Sequence, residues 1–254
     1  MKYLFTILFF SIISFVQAQV SVVDIEKELT KDFKRIKFWN DSLAKSKELF
    51  VEDSLDDAAI HFKNKLLSYT GNTPQTMSHK FLGLKNLGLH IATSADGSFK
   101  IYSWETKFKN GVHNFETIYQ FKLNRKIFSR LKIKAKETDP GHYCDEIFTV
   151  KIKMLNSYIA FFQGNNSEKT NTVCLKAFEM HDTGFKDEIE FFKTKTTMSN
   201  ELNYEYLANT KVNIHDIVTY NDDTKILTTP SINDKGELKK GKIEFKFNGH
   251  SFEK

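Results

Sequence analysis

Arginine is scarce in this sequence: Arg35, Arg125 and Arg130 are the only three, although the net charge is +5. A surface that tracks nucleic-acid phosphates ordinarily brings arginine with it, so the basic balance does not point to a nucleic-acid partner. The lysines are dispersed instead, as in Lys132-Ile133-Lys134, Lys193-Thr194-Lys195 and Lys239-Lys240. Lysine alternating with apolar or β-branched residues marks the wet face of an antiparallel strand. Three prolines leave long strands uninterrupted, and no linker rich in Pro, Gly or Ser divides the chain. No GxSxG, phosphate loop, GxGxxG or HExxH occurs, which removes the usual sequence signs of a serine hydrolase, a nucleotide site or a zinc peptidase. The eight histidines are spread out, and none stands two or four residues from another. No metal and no cofactor is therefore expected.

What is present begins with a leader. Met1-Lys2 is a short positive start, Leu4 to Val16 is an apolar run, and Val16-Gln17-Ala18 offers small residues at a cleavage position. That pattern predicts a signal peptide over residues 1–18. A membrane anchor needs about 18–20 apolar residues, more than this run supplies, and no transmembrane helix is expected in the mature chain. Residues 19–254 are read as one α+β domain, helical over about 22–87 and β over about 89–250.

From Val22 to about Phe50, apolar residues fall at Val22, Ile25, Leu29, Phe33, Ile36, Trp39 and Leu43, the spacing of an amphipathic helix lying on a larger surface. Asp32 and Ser46 interrupt a coiled-coil seam. A second helix is predicted to start at a Ser54 cap and to carry Leu55, Ala59, Phe62, Leu66 and Tyr69 on one face. Thr73-Pro74 predicts the start of a third, short one. Past Leu89 the period changes to two. Ala95-Asp96-Gly97-Ser98 is a turn, and Tyr102 and Trp104 then face away from Phe99 and Ile101. Further strands are predicted up to Lys242–Phe247. The fold class is α+β, with amino-terminal amphipathic helices packed on a largely antiparallel β-sheet or meander.

The candidate binding residues are Tyr102, Trp104, His113 and Gln120, on neighbouring strands. Exposed, they would make a stacking platform for a sugar or peptide. Covered, Tyr102 and Trp104 would form the sheet face on which the helices dock, an account that places both features at once. Ser94-Ala95-Asp96-Gly97 to Trp104 has the look of a propeller blade, but no second copy of the pattern follows. Gly141-His142-Tyr143-Cys144-Asp145-Glu146 reads as the start of a strand rather than a thiol or metal site. Asp187-Glu188 and Asp222-Asp223 read as solvated turn charges. Cys144 and Cys174 are the one possible disulfide. A bridge would contribute about 3–4 kcal/mol. On strands one apart, however, the two would stand about 9–10 Å from each other, where a bridge needs about 7 Å or less. The pairing is left open.

Ser94, Asp96, Gly97, Phe99 to Thr106 and Gln120-Phe121, with the closing Gly241 to Phe252, resemble a group of uncharacterised exported proteins of Bacteroidota that share an IYSW[DE]T-type segment. The resemblance covers about a fifth of the chain and departs at Lys109-Asn110-Gly111-Val112. It implies an exported bacterial setting, periplasmic or secreted, and no activity. The expected function is a non-enzymatic binding or interaction module whose partner is a protein or polymer of the cell envelope. The alternative is a hydrolase acting on an envelope or extracellular polymer.

Overall fold

The computed structural model describes residues 21–46, 48–109, 111–134, 136, 138–152, 155–181, 184–210 and 213–254. The signal peptide expected over residues 1–18 lies outside the described residues. Strand outweighs helix, 47% to 27%, so the chain is an α+β protein in which the helices form one layer on a stack of mostly antiparallel sheets.

Helix α1 (Val22–Lys45) is started by Ser21, whose hydroxyl accepts from the Val23 and Asp24 amides at 3.2 and 3.4 Å. Its partner α2 (Leu49–Asn72) begins earlier than the Ser54 cap predicts. The Ser54 hydroxyl donates to Phe50 O one turn back, so the residue sits inside the helix rather than at its start. Asp32, the residue that breaks the coiled-coil seam, is buried and paired with Lys65 of α2 at 2.9 Å. The third helix divides into a 3-10 turn, Pro74–Met77, and a single helical turn, α3 (Leu82–Lys85), separated by Phe81 in the left-handed region.

The strands divide into three sheets rather than one. The first is β1 (His90–Thr93), β2 (Phe99–Lys109), β3 (Val112–Leu123) and β4 (Lys126–Leu131), in that order. Asn124 and Arg125, both at positive φ, make the tight two-residue turn before β4. The middle sheet takes β5 (Tyr143–Ile152), β6 (Leu155–Ser167), β7 (Thr170–His181) and β11 (Glu201–Leu207), in the order β11-β7-β6-β5, with β8 (Gly184–Lys186) beside β7. The outer sheet contains β9 (Phe192–Thr194), β10 (Thr197–Ser199), β12 (Thr219–Asn221), β13 (Ile226–Ile232), β14 (Leu238–Phe247) and β15 (Phe252–Glu253). Its β9 and β15 pair in parallel.

Three separate cores hold the layers together. Ile25, Leu29, Phe33, Phe62 and Leu66 of the helices pack on Tyr102, Trp104 and Ile118 of the first sheet. The opposite face of that sheet, with Phe99, Ile101 and Tyr119, packs on Tyr158, Phe162 and Phe178 of the middle sheet. The far face of the middle sheet, with Ile159, Phe161, Val173 and Leu175, packs on Phe192, Leu227, Phe245 and Phe252. The middle sheet is thus buried on both sides. That is why Tyr158–Phe162 and Val173–Leu175 read as continuous apolar runs rather than alternating ones.

Candidate functional site

Of the four candidate binding residues, three lie under the helices. Tyr102, Trp104 and Gln120 are all fully buried. The Trp104 ring meets Phe62 of α2 edge-on at 5.3 Å. An open stacking platform on Tyr102, Trp104 and Gln120 is excluded by this cover. The helices must bury their apolar stripes somewhere, and the even-numbered face of β2 is where they do so. Gln120 is a structural hub: its amide donates to Thr70 O at 2.6 Å and Thr76 Oγ1 at 2.7 Å, and accepts from the Tyr102 hydroxyl at 2.8 Å. Beside it Lys100 is 1% exposed. Its ammonium donates to Thr76 O, Met77 O and His79 O. Burial, with the Lys85 charge adding to it, pushes this lysine down to about 7.

His113 goes elsewhere. It pairs with Glu105 at 3.1 Å and borders a groove of about 430 Å³ with Phe115, Tyr143 and Tyr206. His90 stacks on Tyr143 there at 3.9 Å. Burial holds His90 below the ordinary histidine range and pushes Tyr143 up to about 12.

Cys144 and Cys174 are both free thiols. Each lies opposite Phe162, one on β5 and the other on β7, so a whole strand separates them and the open pairing resolves against a bridge. Burial pushes both thiols up, Cys174 to about 12, with Glu201 adding to the effect. Neither is a thiolate nucleophile at neutral pH.

A cleft of about 870 Å³ opens between the first and middle sheets. Strand β1 lies against β5 and β3 lies against β6, so β4 and the segment after it overhang β7 and β11. Along this overhang Arg130, Lys132 and Lys134 line one wall. Glu201, Asn203 and Glu205 line the other, from alternate positions of β11. Phe162, Thr172, Cys174 and Lys176 form the floor. Lys132 lies over the Phe162 ring at 5.2 Å. Its charge acts on Cys174 together with those of Glu201, Lys176 and Asp139, so both walls converge on one place.

Two polar groups at the base of this cleft have no hydrogen-bond partner among the described residues: Thr172 Oγ1 and His142 Nε2. Thr172 is only 5% exposed. The His142 ring rests against Gly164, where an added Cβ would come within 2.6 Å of its Cδ2. Gly141, at φ 72°, turns the chain into that seat; a Cβ there would strike Phe115 O at 2.6 Å. Burial, with Lys132 adding to it, pushes His142 down to about 4, so the ring is neutral at pH 7. Lys132, Lys134 and Lys176 make no ion pair among the described residues, whereas Arg130 pairs with Asp187 at 2.7 Å.

Nothing in the residue pattern by itself marks this cleft as a site. Lys132-Ile133-Lys134 reads as an ordinary wet strand face, and Asp187 as a turn charge. The available signals are the polar positions Thr172 and Lys176 inside an apolar strand, and the alternation Glu201, Asn203, Glu205. Among the described residues no group of three or more His, Cys, Asp and Glu side chains is placed to hold a metal ion, and no helix is long and apolar enough to cross a membrane.

The fold and cleft define an α+β protein with helices on one outer layer and a charged groove between two stacked sheets. Compared with protein families, with curated proteins and with solved structures, the chain gives no match, and the site is read from its own geometry.

Proposed function

We propose that this is an exported bacterial protein that binds an envelope polymer or protein segment without transforming it, and that the intersheet cleft is where it binds. The observation that carries this reading is the pair of groups at the cleft base, Thr172 Oγ1 and His142 Nε2, that have no hydrogen-bond partner among the described residues, beneath lysines on the wall and floor that make no ion pair among them. A buried hydroxyl without a partner costs about 1–3 kcal/mol, and a ligand atom seated on it recovers that cost. The chemistry of the cleft also favours holding over cutting. Its one thiol is pushed far above neutrality, and its histidine is pushed too low to serve as an efficient base near pH 7. The apolar leader over residues 1–18 and the resemblance to exported Bacteroidota proteins support a periplasmic or secreted location.

The test is a binding measurement on solubilised envelope polymers, separated into glycan chains and peptides, with wild type, Thr172→Val and His142→Ala. One fraction is expected to bind wild type, with both substitutions weakening it about tenfold, the loss of about 1.4 kcal/mol. Product release from that fraction, abolished by one polar substitution in the cleft, would replace binding by hydrolysis.

A further inference from the structure

The geometry points to an extended peptide with alternating cationic and anionic side chains as the ligand of the cleft; this rests on the binding reading above and narrows its partner. The two long walls carry opposite charge, three cations on one and two carboxylates with Asn203 between them on the other. Arg130, Lys132 and Lys134 recur every second residue along one, and Glu201, Asn203 and Glu205 along the other. Residues two apart on an extended chain stand about 6.8 Å apart on one face, so the β11 wall presents polar side chains at close to that interval over a length of about 14 Å, and the facing wall runs from the end of β4 into the segment that carries Lys132 and Lys134.

An extended peptide has the same period. If acidic and basic residues alternate, all acids fall on one face and all bases on the other. Lying between the walls, it turns its carboxylates toward Lys132 and Lys134 and its ammonium groups toward Glu201 and Glu205. Arg130 already pairs with Asp187 at one end, and Asp139 accepts from the Gly141 amide, so those charges are partly committed. Lys176, directly across from Glu201 in the β7–β11 register, sits on the floor beside the acidic wall. Thr172 Oγ1, 95% buried and without a partner, and His142 Nε2 lie where the peptide backbone would run, and a backbone amide and carbonyl match them. A neutral glycan would leave both rows of charge unanswered, and a polymer of one sign would meet repulsion from one wall.

The experiment uses the full chain and three probes: a blocked hexapeptide alternating lysine and glutamate, a hexapeptide of the same composition arranged in pairs, and a neutral oligosaccharide of similar length. Binding is followed by calorimetry and by the amide resonances of Thr172 and His142. The alternating peptide is expected to bind at least ten times more tightly than the paired one and to shift both resonances. Lys132→Glu with Lys134→Glu should remove that preference, and so, independently, should Glu201→Gln with Glu205→Gln, which guards against one wall's variant failing to fold. Equal binding of the two peptides overturns the inference. If the oligosaccharide alone shifts the cleft resonances, the inference falls while the cleft remains a binding site; if none of the three probes moves them, both fall.

Discussion

Gln120→Glu is an isosteric change at the hub under the helices, and its effect should be governed by pH. The native amide donates to Thr70 O and Thr76 Oγ1 and accepts from Tyr102, all in a fully buried setting. A glutamic acid in its place has one proton for those two acceptors. Even protonated, it leaves one of them short of a donor, a loss of about 1–3 kcal/mol. Ionised, it would set a carboxylate oxygen against the Thr70 carbonyl, while the nearest cation, Lys100 opposite it on β2, is already held by the Thr76, Met77 and His79 carbonyls. The folded protein therefore keeps the proton, and the folded carboxyl lies above its unfolded value of about 4.3. Stability is fully present below the unfolded value and is lost as pH rises toward the folded one, by about 1.4 kcal/mol per pH unit. Between pH 4.5 and 7 this amounts to about 3 kcal/mol, for a total near 4–6 kcal/mol against a typical domain stability of about 5–15 kcal/mol. Urea unfolding followed by helical circular dichroism at pH 4.5, 5.5, 6.5 and 7.5 measures it, with Gln120→Leu as the control whose deficit should not vary with pH. If Gln120→Glu and wild type run parallel across that range, the hub is wet and the argument from burial is wrong.

Three further outcomes are expected. Trp104→Ala should cost about 3–5 kcal/mol in the same denaturation assay, because it opens a large cavity where α2 meets the first sheet. The native protein should leave both thiols unreactive to a disulfide-exchange reagent at pH 8 and release two on denaturation without reductant; one or none would mean a bridge that the β5–β6–β7 register forbids. Gly164→Ala should push the His142 ring off its seat, destabilise the protein by about 1–3 kcal/mol, and raise the imidazole from about 4 toward the ordinary 6.5, read by its ring resonances. His142 is neutral in the fold, so native stability is lost as pH falls through that low value; the variant should lose less of it in acid.

The layer order was largely legible because period carries orientation. The 3.6-residue spacing of Ile25, Leu29, Phe33 and Ile36 places a stripe on α1, and the two-residue alternation of β2 sends Tyr102 and Trp104 opposite to Phe99 and Ile101. One face then needs a cover and the helices need a floor, and the structure joins them. The Ser54 start of α2 misled because serine serves as well inside a helix, bonding one turn back, as at its cap. The division into three sheets was not legible from period alone. A run such as Tyr158–Phe162 says that both faces are buried but not which strands bury them.

The cleft was hidden for the same reason, and its origin lies in the middle sheet. On the face toward β4, strand β6 contributes Tyr158, Ala160 and Phe162, all buried. Strand β7 contributes Phe178 and Cys174 but also Lys176 and Thr172, and the edge strand β11 contributes only Glu201, Asn203 and Glu205. Polarity thus rises from centre to edge across one face, while the first sheet, four strands wide, carries Lys132 and Lys134 over that edge. Packed apolar faces hold two sheets about 10 Å apart; where the facing side chains become charged, close packing would strand them without water. The sheets part at that edge because desolvating both rows of charge would cost more than the contact returns. The cleft is therefore open where Lys132 and Lys134 face Glu201 and Glu205, and closed where Tyr158, Ala160 and Phe178 meet the first sheet.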